Sequence, residues 1–328
     1  NNLGRACLAA EDLEAAAEAF TAVLETDSAN ARALDGLGIL RHRQGDYTEA
    51  VDLHGRAVAA DRDFAAGWCN LGIACTDLGR YTEGAAALDR ALALDPDDAR
   101  TRFNRAILHL MAGNFAAGWP MYEARLAFQA MASPPGRRWN GEALAGERVL
   151  LIPEQGFGDV LQFARFASRV RDRGGVPVLA VPGPLTVLMA AQGGGVEVAD
   201  ATVPPEVPLW CPLLSLGAVL DLTGNDISGA AYLHAAPALG EAGSGPRIGL
   251  AWSGNPTHRR DGARSLRLAD LAPLFDVPGV RFVNLQVGLR PEDAAEMIRR
   301  PDLFAEAPNL TDFAETAAVI AGLDLVIS

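Results

Sequence analysis

Along the first 130 positions a pattern of apolar, small and aromatic residues repeats at a fixed step. Leu3-Gly4, Leu37-Gly38 and Leu71-Gly72 stand 34 residues apart; Gly45, Gly79 and Gly113 keep that step, as do the aromatics Tyr47, Tyr81 and Phe115 behind them. Cys7 and Cys75, two steps apart, share one repeat position. The pattern predicts two antiparallel helices per repeat. Gly38 and Gly72 let the helices approach, and Ala50, Ala57 and Ala91 are small residues at their contacts. Gly45, Gly79 and Gly113 suit helix ends, where a left-handed backbone is cheap only for glycine. Asp95-Pro96 closes the third repeat, because proline cannot continue a helix. The first repeat begins mid-helix. In the fourth, Gly118, Trp119 and Pro120 are expected to interrupt the second helix, giving a capping repeat with Trp119 and Tyr122 packed at a junction.

A 34-residue period with these residues resembles the tetratricopeptide (TPR) family. The resemblance implies an α-solenoid over residues 1–132, whose concave surface takes a protein or peptide. The sequence shows no carboxylate clamp of Lys and Arg along that surface.

After the Ser-Pro-Pro-Gly of 133–136 the pattern changes. Residues 133–146 read as a linker, and from 147 short apolar runs alternate with amphipathic stretches. Strands are expected at 148–152, 176–181, 196–198 and ending at 210–212, with helices at 159–173, 184–191 and 213–220. A Gly-rich segment at 240–246 precedes a second series: strands at 247–252, 280–285 and 323–328, and helices at 268–274, 291–299 and 312–322. In the last helix Asp312 and Glu315 have capping-box spacing. Alternating strands and helices imply parallel sheets. The expected fold class is therefore α followed by α/β, with Rossmann-like lobes over 147–240 and 246–328. The second lobe is expected to be incomplete, because ligands bind beyond strand carboxyl ends and the sequence stops at one.

Composition narrows the function. The net charge of −13 argues against a nucleic-acid partner, which needs a basic face. No apolar run approaches the ~20 residues of a membrane span. With no signal peptide recognisable, the expected compartment is the cytoplasm. Cys7, Cys69, Cys75 and Cys211 form no CxxC pair, so no zinc site is expected.

Candidate chemistry concentrates in residues 153–163, Pro-Glu-Gln-Gly-Phe-Gly-Asp-Val-Leu-Gln-Phe, between the first α/β strand and its helix. Two glycines there let backbone approach a ligand, and the helix start offers unpaired N–H groups. Gly156 and Gly158 fit a dinucleotide fingerprint, but its third glycine position is Leu161 and no acidic residue follows the second strand. No phosphate-loop motif occurs either.

This segment resembles the loop of heptosyltransferase-type glycosyltransferases, where a Gly-Asp pair follows the first strand. The wider match is to bacterial TPR proteins with such a region. It takes in residues 113–125, 139–142, 154–163, 211–215, 249–256, 264–265 and 310–316; the architecture is also similar to O-GlcNAc transferase. The resemblance implies a GT-B fold that transfers sugar from a nucleotide-sugar substrate, with no metal and no other cofactor. Asp159 is then the base that deprotonates the acceptor, Glu154 the reserve, and Gln155, Gly156 and Gly158 line the acceptor loop. Asp159 also reads as an N-cap. In the second lobe Trp252, Ser253, Asn255 and Gln286 would hold the donor, and His258, Arg259, Arg260 and Arg264 would face its diphosphate; as a solvated basic loop they need no ligand. Relatives often carry Lys where this chain has Val287. The alternative function is a non-catalytic interaction module on a degenerate α/β platform.

Overall fold

The computed structural model describes residues 1–128, 134–238, 245–256, 261–304, 306 and 308–328. Eight helices form the N-terminal array: α1 (Asn2–Ala9), α2 (Leu13–Thr26), α3 (Ala31–Arg43), α4 (Tyr47–Ala60), α5 (Ala65–Asp77), α6 (Tyr81–Leu94), α7 (Ala99–Met111) and α8 (Phe115–Tyr122). Asp12, Asn30, Asp46, Asp98 and Asn114 cap five of them, each accepting a first-turn backbone N–H. Gly45, Gly79 and Gly113 follow α3, α5 and α7 with φ of +84°, +81° and +73°. The close approaches are equally literal. A Cβ on Gly72 would lie 2.6 Å from Leu88 Cγ and 3.0 Å from the Gly84 carbonyl oxygen.

One niche recurs at each step of 34 and is filled by Phe20, His54 and Leu88, all buried. His54 is the polar member, and burying it requires partners. Its Nδ1 lies 2.7 Å from Asp35 Oδ1, and Asn70 Nδ2 donates to both Asp35 oxygens at 3.0 and 3.1 Å. The buried group thus ties α3, α4 and α5 together.

The fourth repeat corrects the sequence reading. Helix α8 runs through Pro120 to Tyr122 and then tightens into a 3-10 turn over Glu123–Ala127. Proline costs one intrahelical bond, which a helix this short absorbs near its end. Trp119 does pack as expected: its ring meets Gly217, and its Nε1 donates to the Leu222 carbonyl at 2.9 Å. Fully buried Arg125 donates to Glu123 at 2.7 Å and to Ser215 at 2.9 Å, and lies over the Tyr122 ring. Accordingly Ser215–Ser228, which includes the short α11 (Leu216–Val219), belongs to the same compact unit as the repeats.

Pro134–Leu214 and Gly229–Ser328 make up the second compact unit. Its first sheet contains β1 (Arg137–Arg138), β2 (Arg148–Ile152), β3 (Val176–Val181), β4 (Glu197–Asp200) and β5 (Leu209–Pro212), in the order β1-β5-β2-β3-β4. The second holds β6 (Arg247–Leu250), β7 (Arg281–Asn284) and β8 (Leu325–Ile327), in the order β7-β6-β8. Every strand pair is parallel. Central β2 is buried on both faces, which is why it reads as an unbroken apolar run. The helices are α9 (Phe157–Ala164), α10 (Thr186–Ala191), α12 (Asp261–Arg264), α13 (Ala272–Phe275), α14 (Pro291–Arg299) and α15 (Phe313–Ile320).

Two expectations change. The linker at 133–146 contains β1, which pairs in parallel with Leu209 and Trp210 of β5. The single helix expected at 159–173 starts at Phe157, stops at Ala164 and resumes as a 3-10 stretch over Ala167–Arg173. Val160, Phe163, Ala167 and Val170 stay buried in both pieces, so the apolar periodicity survives the break. Among the described residues no helix is long and apolar enough to cross a membrane.

The glycine sterics give a paired test. Gly72→Ala overpacks a helix contact and should lower stability by about 1–3 kcal/mol. Gly55, inside α4, has nothing within 4 Å of a built Cβ, so Gly55→Ala should raise stability by up to ~1 kcal/mol. Urea unfolding followed by helical circular dichroism checks both; equal midpoints would contradict the packing described.

Candidate functional site

The end of a parallel strand leaves backbone donors that its neighbours do not use, and loops need partners for them. After β2, Glu154 supplies one: its Oε2 accepts the Leu214 N–H at 2.9 Å. Gln155, Gly156, Phe157 and Gly158 are exposed, and Asp159 is half-buried. Asp159 Oδ2 accepts the Gly156 N–H at 3.1 Å: the N-cap is Gly156 and not Asp159 as the sequence suggested, because α9 starts at Phe157, and Asp159 is its third residue, whose carboxylate reaches back to the cap. Its Oδ1 has no hydrogen-bond partner among the described residues. The N–H groups of Phe157 and Gly158, at the open first turn of α9, have no acceptor there either.

The glycines of this loop differ from those of the repeats. A Cβ on Gly156 would meet only Asp159 Oδ2, at 3.6 Å, and one on Gly158 would meet nothing within 4 Å. Neither adopts a left-handed backbone. Among the described residues no steric contact requires glycine at either position, although Gly156 stands at the N-cap, where glycine is tolerated well.

Between them, Phe157 reaches the second series of elements. Its ring lies 5.2 Å from that of Phe313, edge to face. Phe313 opens α15, where Asp312 accepts the Glu315 N–H at 2.8 Å. Glu315 turns back to Thr311 instead of to the capping residue, and the Thr311 N–H and hydroxyl hold its carboxyl below the usual range. A helix leading into a parallel strand begins at the sheet's carboxyl edge, so Phe313 stands at that edge of the second sheet. The Phe157–Phe313 contact thus brings together the carboxyl edges of both sheets.

The loop after β6 is braced more heavily. Gln286 Oε1 accepts the N–H groups of Trp252 and Ser253 at 3.0 and 2.9 Å, and its Nε2 donates to the Ser253 carbonyl at 3.0 Å. Gly254 N–H donates to Ser265 Oγ at 3.0 Å, and that hydroxyl donates to Asp261 Oδ1 at 2.6 Å. Arg290 completes the chain at Asp261 Oδ2, 2.5 Å away. Trp252 is buried: its Nε1 donates to Asp293 Oδ2 at 2.9 Å, and its ring stacks on Phe304. Asp293 Oδ1 also accepts the Leu268 N–H at 2.8 Å.

These contacts revise several roles read from the sequence. The Trp252 side chain is core, and only its backbone reaches the loop. Gln286 spends its amide on that backbone, so it positions the loop from beneath. Ser253 is half-buried and Asn255 exposed. Arg264 is exposed beside Gly254, whose built Cβ would lie 3.5 Å from its Nε, and it has no ion-pair partner among the described residues. His258, Arg259 and Arg260 lie outside the described residues. Sequence reading missed Asp261, Arg290 and Asp293, each of which acts on a partner far away along the chain. Their only local signal is the Pro-Glu-Asp that opens α14 around Asp293.

Asp293 is the most exacting of these supports. Asp293→Ala leaves two buried donors without acceptors, at about 1–3 kcal/mol for each. The expected result is a lowered melting temperature with a red-shifted tryptophan emission; unchanged stability would remove Asp293 from the loop's support.

Tetratricopeptide-repeat family profiles match residues 1–66 and 65–98. The protein FlbA of Caulobacter vibrioides is 28% identical over 262 residues, which cover 69% of this chain and 44% of FlbA; the chain thus spans less than half of that relative's length. Among solved structures, MamA is 18% identical, with 38% of this chain and 74% of MamA covered at a TM-score of 0.35. Pseudomonas aeruginosa PilF is 24% identical, with 38% and 58% covered at 0.36. YrrB, described as a TPR protein with an unusual peptide-binding site, is 24% identical, with 38% and 63% covered at 0.34. The N-terminal helices of this chain are tetratricopeptide repeats, and a region of parallel α/β sheets follows them.

Proposed function

We propose that the protein is a glycosyltransferase of GT-B type, in which the loops after β2 and β6 face a shared cleft and the repeats present a protein, peptide or glycan acceptor. The observation that carries this reading is the pair Gly156 and Gly158. Their own surroundings make no demand for glycine, yet they flank an open helix start beside a carboxylate with one uncommitted oxygen. Glycine at a strand-to-helix turn lets a ligand approach the backbone. Gly254 after β6 is the counterpart: among the described residues, only the flexible end of Arg264 lies near its built Cβ.

In this mechanism Asp159 Oδ1 takes the proton of an acceptor hydroxyl while Oδ2 keeps the carboxylate fixed on the Gly156 N–H. The hydroxyl oxygen forms a bond to the anomeric carbon of the donor sugar. The bond from that carbon to the diphosphate oxygen breaks, and the nucleoside diphosphate departs with the electron pair. Arg264 meets the developing charge on the diphosphate, where a guanidinium fork offers paired hydrogen bonds. Capping and base catalysis are thus one arrangement.

Release of nucleoside diphosphate from a panel of uridine, guanosine, thymidine and adenosine diphosphate sugars tests the proposal. Asp159→Asn should fold normally and lose ~10²–10⁴-fold in turnover. Gly158→Ala lies in the first turn of α9 and should keep or slightly raise stability, while turnover falls because the methyl fills the ligand's space. Equal turnover by Asp159→Asn would remove Asp159 from the chemistry. Failure of every donor would leave a non-catalytic platform carrying an interaction module.

A further inference from the structure

Helices α1, α3, α5 and α7 touch in series and share one wall of the repeat array. Polar contacts mark that wall at two levels: Asn70 to Asp35 at one, and His42 to Asp77, at 2.7 Å, near the other end of the same helices. Between the levels lie Ile39, Ile73 and Ile107, one per repeat at a step of 34, and each is only half-buried. They form an apolar stripe along the wall.

The charge on this wall is one-sided. Its acidic residues are committed, Asp35 to His54 and Asn70, and Asp77 to His42. Three of its exposed arginines are not. Arg5 holds the repeat position of the isoleucines, and Arg32 and Arg100 share another. None of the three has an ion-pair partner among the described residues. Moreover, Arg32 and Arg100 are the second residues of α3 and α7. A cation in a helix's first turn opposes the helix dipole, so the fold gains nothing from either. On a chain of net charge −13, three uncommitted cations beside an apolar stripe call for an anionic partner.

We propose that this wall binds an extended polypeptide segment that combines aliphatic side chains, set on Ile39, Ile73 and Ile107, with Asp or Glu residues that pair with Arg5, Arg32 and Arg100. The inference rests on the reading that the repeats present a polypeptide, and it names the class of that polypeptide.

Selection of a random twelve-residue phage-displayed library on the full chain tests it. Enriched peptides should be rich in Asp and Glu together with Leu, Ile, Val or Phe. As synthetic peptides they should bind at least tenfold more weakly to the Arg32→Glu/Arg100→Glu variant. Versions with Lys in place of the acids should show the opposite preference. Glutamate is favoured in a first helical turn, so the double variant should melt no lower than the parent, separating lost binding from lost fold. An Ile73→Ala variant should weaken the same peptides without reversing their charge preference. Enrichment of basic peptides, or binding indifferent to the arginines, would overturn the assigned class while leaving a polypeptide-presenting role intact. Absence of any enriched peptide, or competition by a second copy of the chain alone, would overturn both.

Discussion

Backbone donors left over where parallel strands end must find acceptors, and in this chain distant side chains provide them. Glu154 takes the Leu214 N–H just after β5, and Gln286 takes those of Trp252 and Ser253 just after β6. A loop satisfied in this way need not fold back on itself. Its outward backbone stays uncovered, which is the condition for a ligand to approach it. Glycines register the difference. Gly249 in β6 is required by its own fold, because a Cβ there would lie 2.5 Å from Leu285 and Leu323 side chains. Gly174 is left-handed, and its built Cβ would lie 2.2 Å from the Leu144 carbonyl oxygen. Gly156, Gly158 and Gly254 meet no such demand.

The repeats were legible in the sequence because their physics is local. Each helix pair packs on its neighbours only, so the residues that matter return every 34 positions. The strands at 148–152 and 176–181 were legible for a related reason: burial on both faces writes an unbroken apolar run. What escaped was non-local. The two arginines of β1 carry no strand signal and owe their conformation to β5. Residues 215–228 alternate like the rest of the α/β region, yet the buried Arg125–Ser215 contact and the Trp119 indole secure them to the repeats.

Of the candidate site, the sequence shows which residues gather in a loop but not what each side chain does there. Spacing and residue type singled out Asp159 and its glycines, and the structure adds that one carboxylate oxygen is occupied and the other open. Trp252 and Gln286 were read as ligand contacts, because a motif shows which residues keep company but not which way they turn. Both turn inward, and they fix the loop that others would use. The arginines of the repeat wall escaped for another reason. They belong to three different repeats, so no single repeat displays a cluster.

Hydrogen–deuterium exchange on the full chain, with and without nucleoside diphosphates, probes this bracing most directly. The account predicts slow exchange for the Trp252, Ser253 and Leu214 amides at all times, and fast exchange for Phe157 and Gly158 in the free chain. Free exchange at Trp252 and Ser253, or amides at Phe157 and Gly158 that are already protected without ligand, would contradict it.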